Sequence, residues 1–191
     1  MKKCPNPIFS IIAILFITGA LASGTDENVP GKAVVETKAS PKEAAAAYIA
    51  KGVKWLADNQ KDDGSFSNAQ YPGLSGLALW AVAASGDPAY SNVVKRGGDF
   101  IISKAQPDGG IYTPLPGRQG GGLSTYNTAV CLTAIAATGR DDITELVLNA
   151  RTFLANSQLT GDDSFSGGFG YDPGGSRRYA DLMNTHFVME A

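Results

Sequence analysis

A block made of an amphipathic helix, a glutamine and a glycine turn recurs three times along the chain, and this repeat limits the fold more than any single motif. The first copy is Lys51-Gly52-Val53-Lys54-Trp55-Leu56-Ala57-Asp58-Asn59-Gln60, followed by Asp63-Gly64-Ser65-Phe66. The second is Arg96-Gly97-Gly98-Asp99-Phe100-Ile101, then Gln106, Asp108-Gly109-Gly110 and Tyr112. The third is Ala150-Arg151-Thr152-Phe153-Leu154, then Gln158, Asp163, Phe165 and Phe169. Trp55 and Phe100 are 45 residues apart, and Phe100 and Phe153 are 53 apart. A period of this size belongs to helical units that stack, because one such unit cannot bury its own apolar face.

Between the copies lie segments of a different kind. Ser40-Pro41-Lys42-Glu43 combines a capping Ser, a Pro at the first helical position and a Glu at the third, and opens a helix that runs to about Gln60. Its apolar stripe is Tyr48, Ile49, Gly52, Trp55 and Leu56, the i, i+1, i+4, i+7, i+8 pattern of a half-buried helix. The next helix, about Leu74 to Ser85, carries Leu77-Ala78-Leu79-Trp80-Ala81-Val82 and has no polar face, so burial on all sides is expected. Asp87-Pro88 starts a third helix with Val93, Val94, Gly97, Phe100 and Ile101 on its stripe. A Gly/Pro loop over residues 107–123 leads to a mostly apolar fourth helix, about Ser124 to Thr138. The fifth, about Asp142 to Ser157, repeats the stripe with Leu146, Val147, Ala150, Phe153 and Leu154, and a sixth begins near Tyr179. The pattern predicts an all-α fold of three helical hairpins, each an outer amphipathic helix followed by an inner apolar one. An apolar hairpin cut short exposes surface that monomers rarely show, which points to a longer protein or to self-association.

Composition and processing signals narrow the class. Formal charge is −2 over 191 residues, with no clustered basic face of the kind a nucleic-acid partner needs. Lys2-Lys3, the apolar run from Ile8 to Leu21 and Ala20-Leu21-Ala22 form a signal-peptide pattern over residues 1–22, with cleavage near Ala22 and a periplasmic or secreted destination. Residues 23–39 are polar and read as a flexible linker, and residues 40–191 as the repeat domain. Cys4 leaves with the signal, so Cys131 has no partner within the chain and is expected to be a buried, inert residue.

The recurring block resembles the QW repeat of the terpenoid cyclase and protein prenyltransferase superfamily. Lys51, Gly52, Trp55, Gln60, Gly64 and Phe66 match it best. Arg96, Gly97, Phe100, Gln106, Gly110 and Tyr112 form a looser copy; Ala150, Phe153 and Gln158 a third, with its tail stretched to Phe165 or Gly168-Phe169. Gly167-Gly168-Phe169-Gly170-Tyr171 and Ala180-Asp181-Leu182-Met183-Asn184-Thr185 are similar to prenyltransferase/squalene-oxidase repeat proteins, squalene–hopene cyclases among them. The resemblance implies an α/α toroid, in which five to seven hairpins close a ring; the three hairpins here would be about half a ring, a C-terminally incomplete domain. It also implies that Trp55, Gln60, Phe100, Gln106, Phe153 and Gln158 are structural.

Candidate functional residues sit on the inner helices. Aligned on their closing glycines, Ser75, Thr128 and Thr185 share one level, and Asn127 and Asn184 the position before. Two readings stand side by side: short polar residues that start helices, or a polar rim over an apolar cavity, placed where helix dipoles favour an anion. The rim reading takes Tyr126, Asn127, Thr128, Asn184, Thr185, Tyr171 and Arg177, and a loop with Tyr112, Arg118 and Arg178 would extend it for an anionic or sugar ligand. Asp181 and His186, the single histidine, are the candidates for acid–base work. A cyclase that protonates an alkene needs clustered carboxylates to keep one protonated. The counterpart of the family's Asp-Asp-Thr-Ala is Tyr126-Asn127-Thr128-Ala129, which lacks both, and no metal or other cofactor is expected. The resulting expectation is an extracytoplasmic repeat protein that binds an apolar small molecule, a polysaccharide or a protein partner without class II cyclase chemistry. The enzymatic alternatives are a terpenoid cyclase or transferase with its Asp cluster in a missing half, and a polysaccharide-active toroid.

Overall fold

The computed structural model describes residues 40–115, 122–173 and 179–191. By its contacts the chain divides into Met1–Lys38 and Ala39–Ala191, and the second unit carries every described residue. The signal-peptide and linker readings, and Arg118, Arg177 and Arg178 of the rim reading, lie outside the described residues. The described part is all-α: α1 (Pro41–Asp58), α2 (Pro72–Ala84), α3 (Ser91–Ile102, preceded by a 3₁₀ turn at Pro88–Tyr90), α4 (Ser124–Ala137), α5 (Thr144–Asn156) and α6 (Leu182–Glu190). Among the described residues there is no strand, only one isolated bridge between Ala105 and Ile111. No described helix is long and apolar enough to cross a membrane.

Local sequence explains where these helices begin. Ser40 Oγ accepts from the Glu43 N–H at 3.3 Å while the Ser40 N–H donates to the Glu43 carboxylate at 2.8 Å, so two otherwise orphaned donors at the start of α1 are satisfied. Pro41 and Pro72 stand at first-turn positions whose N–H would have no helical partner. Asp87 caps the 3₁₀ turn by accepting the Ala89 N–H at 2.9 Å.

The inner helices form a row. α2 packs on α4 and α4 on α6, while α3 lies against α2 and α5 against α4. Glycine lets the first pair approach closely: a Cβ on Gly76 would sit 3.2 Å from Val130 and 3.5 Å from the Cys131 backbone. The core lies between this row and the outer helices, with Leu79, Ile101, Ile111, Leu132 and Ile135 fully buried. Each such side chain contributes roughly 1.5–3 kcal/mol when moved out of water. Every residue of α4 from Asn127 to Leu132 is buried, as expected for a helix without a polar face.

Two expectations fail, both at the same end of the row. The predicted stripe of α1 is open: Tyr48 and Ile49 are exposed, Trp55 is 64% exposed, and a Cβ on Gly52 would meet nothing within 4 Å. Instead α1 buries Val53 on another side. Nor is α2 buried all round, since Leu74, Leu77 and Ala81 form an exposed line. The cause is positional. In α3 and α5 the same stripe packs on the preceding elements, α3 against α2 and α5 against α4, as Gly97 does against Leu79, Phe66 and Gln60. Among the described residues α1 has no helix before it. The periodicity marks the surface made to be buried, and a neighbour decides whether it is.

Candidate functional site

The hydroxyls aligned on the inner helices occupy equivalent places. Ser75 Oγ accepts the backbone N–H of Phe66 at 3.0 Å, Thr128 Oγ1 that of Ile111 at 2.8 Å, and Thr185 Oγ1 that of Phe169 at 3.1 Å. Each bond ties the start of an inner helix to the turn that precedes it. Thr128 and Ser75 are almost fully buried and Thr185 half-buried, so each hydroxyl satisfies a turn N–H that would otherwise lack an acceptor.

The turns repeat as well, with a shift in the second copy. Lys61 N–H donates to Ser65 O at 2.8 Å, Gln106 N–H to Gly110 O at 2.8 Å, and Leu159 N–H to Gly168 O at 2.9 Å. These bonds make Gly64, Gly109 and Gly167 equivalent, and all three have positive φ: 84°, 90° and 85°. The sequence match of Gly64 to Gly110 and Phe66 to Tyr112 is therefore out by one residue: Ile111 is the counterpart of Phe66, and Gln106 that of Lys61. In the third copy Phe169, not Phe165, takes the Phe66 place, and residues 160–166 stand where the first copy has only Asp62 and Asp63.

The glutamines brace these turns. Gln60 Nε2 donates to Gly64 O at 3.1 Å and across to Val93 O of α3 at 2.9 Å, and its Oε1 accepts from Arg96 at 2.5 Å. Gln158 Nε2 donates to Gly167 O at 2.9 Å in the same fashion. Gln106, one place along, bonds Lys104 O at 3.1 Å and Tyr112 O at 2.9 Å. Phe153 is buried and stacks tilted on Tyr112 with ring centroids 6.0 Å apart.

At the N-terminal end of the row Tyr126 is the hub. Its ring stands edge-on to Phe187 of α6 at 5.5 Å and tilted to Tyr171 at 6.2 Å. The same ring lies 3.2 Å from where a Cβ on Gly73 of α2 would be. Burial, and then the neighbouring Tyr171, push the Tyr126 hydroxyl pKa up. Tyr171 is 42% exposed, so the pair presents one aromatic surface to solvent.

Asn127 is fully buried beneath this surface and links two helices: its Oδ1 accepts the Gly73 N–H at 2.8 Å and its Nδ2 donates to Gly122 O at 2.6 Å. Asn184 is equally buried but bonds within its own helix start, donating through Nδ2 to Asp181 Oδ2 and through its N–H to Asp181 Oδ1 at 2.8 Å. Asp181 is thus the N-cap of α6. His186 is exposed, with its ring 5.8 Å from that of Phe187.

Asp172 is a residue the sequence reading missed. Its Oδ1 accepts both the Ser124 N–H at 2.6 Å and the Ser124 hydroxyl at 2.9 Å, while Tyr171 O accepts the Thr125 N–H at 2.9 Å. Its signal in the sequence is slight, an Asp before Pro173 in a glycine-rich loop. Asp172 and Asp181 already supply the negative charge that the N-termini of α4 and α6 favour. These two helix starts are therefore not vacant anion sites. Leu123, which precedes α4, adopts φ 59° and ψ 46°, an unusual conformation for a branched side chain, and its carbonyl accepts the Asn127 N–H at 2.8 Å. Thr125 Oγ1, Asp172 Oδ2 and Asn184 Oδ1 are buried without a hydrogen-bond partner among the described residues.

Other reactive groups are spread apart. Cys131 is fully buried in α4, and burial pushes its thiol pKa up, away from the reactive thiolate. Among the described residues no group of three or more His, Cys, Asp and Glu is placed to hold a metal ion. A pocket of about 340 Å³ opens at the opposite ends of the inner helices, lined by Val82, Val94 and Ala137 with Asp87, Lys95 and Arg140 among its polar residues. Arg140 there is paired with Asp99 at 2.6 Å and Asp142 at 2.7 Å.

No family model, curated protein or solved structure matches the chain.

Proposed function

We propose that the chain is an extracytoplasmic repeat protein similar to squalene-cyclase and prenyltransferase domains. In this reading its hairpins form an arc of an α/α toroid that binds an apolar or extended ligand without class II cyclase chemistry. The observation that carries the repeat reading is the bond made three times from turn N–H to inner-helix hydroxyl, at Ser75, Thr128 and Thr185. The binding face is the aromatic surface of Tyr126 and Tyr171, of which Tyr171 is 42% exposed.

The carboxyls favour binding over alkene protonation. A protonating acid needs its pKa raised by burial or by like charge. Among the described residues the carboxyls with a perturbed pKa, Glu43, Asp63, Asp99 and Asp142, are pushed down, chiefly by hydrogen bonds from Ser40, Ser65, Lys95 and Arg140 respectively. Asp62-Asp63, Asp141-Asp142 and Asp162-Asp163 are exposed, with none on an inner helix.

Thermal unfolding of the full chain with a long-chain isoprenoid alcohol, and separately with neutral oligosaccharides, tests the reading. Stabilisation by the isoprenoid, kept in Tyr126→Phe and lost in Tyr171→Ala, is expected. Stabilisation by an oligosaccharide alone, lost in the same Tyr171→Ala chain, would replace the apolar ligand with a saccharide. No stabilisation by either would overturn the binding reading.

A further inference from the structure

Among the described residues the row of helices exposes a face at each end, and the two faces complement each other. Both internal junctions are built from the same parts. At the first, Gly64 lies under the Arg96 carbonyl, where an added Cβ would be 2.3 Å away, and Gly97 lies against Phe66 and Gln60. At the second, Gly109 lies under the Asn149 carbonyl, 2.7 Å by the same measure, and the fully buried Ala150 replaces Gly97. The inner helices follow suit: Gly73 and Gly76 of α2 face Asn127 and Val130 of α4.

Moving this register on by one hairpin makes Gly167, Met183 and His186 the outgoing face. A Cβ on Gly167 would meet nothing within 4 Å, and Met183 and His186 are exposed. Moving it back by one makes Gly52, Trp55, Leu74 and Leu77 the incoming face, which is likewise exposed.

We propose that these two faces bind each other between copies of the chain, head to tail. The Gly167 turn and α6 of one copy receive α1 and α2 of the next. The occupant is a second copy because the incoming face holds what the internal junctions hold: a small residue at Gly52, as at Gly97 and Ala150, and an aromatic at Trp55, as at Phe100 and Phe153. Gln158 already bonds the Gly167 carbonyl as Gln60 bonds that of Gly64. In the docked pair it would reach the Tyr48 carbonyl and Lys51 of the next copy, as Gln60 reaches Val93 and Arg96. Such a heterologous contact either closes a ring or extends. The association needs no ligand and stands apart from the binding reading.

Sedimentation velocity of the full chain over a concentration series tests it. The wild-type chain is expected to associate with increasing concentration. Gly52→Glu places a charge in the incoming face, in open space, and improves helix propensity, so the fold is kept and association is lost. Met183→Glu blocks the outgoing face in the same way. Mixed in equal amounts, the two monomeric variants each retain one intact face and form a dimer that cannot grow. Gly52→Ala, which copies Ala150, still associates. A wild-type chain that is monomeric at every concentration overturns the proposal and assigns the two faces to further hairpins or to another protein. So does a mixture that stays monomeric, or association that survives both substitutions, as association through the apolar run at residues 8–21 would.

Discussion

Thr128 Oγ1 accepts the backbone N–H of Ile111 at 2.8 Å, across 17 residues of chain and in a fully buried setting. The bond satisfies a donor that no helix or strand could satisfy, because Ile111 sits in a turn outside the regular elements. It also fixes where the turn meets the inner helix. Thr128→Val keeps the shape and removes the acceptor, leaving the Ile111 N–H buried and alone. The expected loss is about 1–3 kcal/mol by urea unfolding, and Thr128→Ser should recover most of it.

The two glycines of the first repeat should respond oppositely to alanine. Gly64 has φ 84°, and a Cβ there would lie 2.3 Å from the Arg96 carbonyl, so Gly64→Ala combines backbone strain with a clash. A loss of at least about 1–3 kcal/mol is expected. Gly52 lies within α1 facing open space, and Gly52→Ala should raise stability by about 0.5–1 kcal/mol. Chemical denaturation of the two variants, at concentrations low enough to keep the chain monomeric, checks the contrast.

Tyr112 gives a pH signature. Its hydroxyl donates to Asp108 Oδ2 at 2.7 Å, and burial, then that bond, push its pKa up to about 12. The unfolded value is about 10. The folded state holds the proton more tightly, so this contribution is complete below about pH 10 and is lost as the pH rises towards about 12. Tyr112→Phe removes the titration. The stability difference between wild type and variant should be flat up to about pH 9 and shrink above about pH 10; a difference that stays constant would show that Tyr112 is not coupled to folding.

Much of the architecture was legible because it depends on spacing. The stripes at Gly97/Phe100/Ile101 and Ala150/Phe153/Leu154 predict buried faces, and those faces are buried. Ser75, Thr128 and Thr185 align in sequence and make equivalent bonds. What spacing could not reveal was direction. The stripe of α1 has the same letters as that of α3, yet Trp55 is exposed because its burial depends on a neighbour. Nor could it tell Gly109 from Gly110, two adjacent glycines distinguished only by backbone φ and by the bond from Gln106. The role of Asp172 depended on a loop folding back over 48 residues to Ser124, which no local pattern encodes. The polar residues first grouped as a rim divide: Thr128, Thr185, Asn127 and Asn184 bond within the fold, Tyr126 is half-buried among other rings, and Tyr171 is exposed.

The central claim is that one bond, repeated, ties each turn to the helix that follows it, and amide hydrogen exchange followed by NMR measures it directly. The N–H groups of Phe66, Ile111 and Phe169 lie outside the helices and would exchange quickly if free. They are expected to be protected nearly as well as the helix interiors. Ser75→Ala, Thr128→Val and Thr185→Val should each release its own partner first. Rapid exchange at all three positions in the wild-type chain, with the helices still protected, would contradict the account.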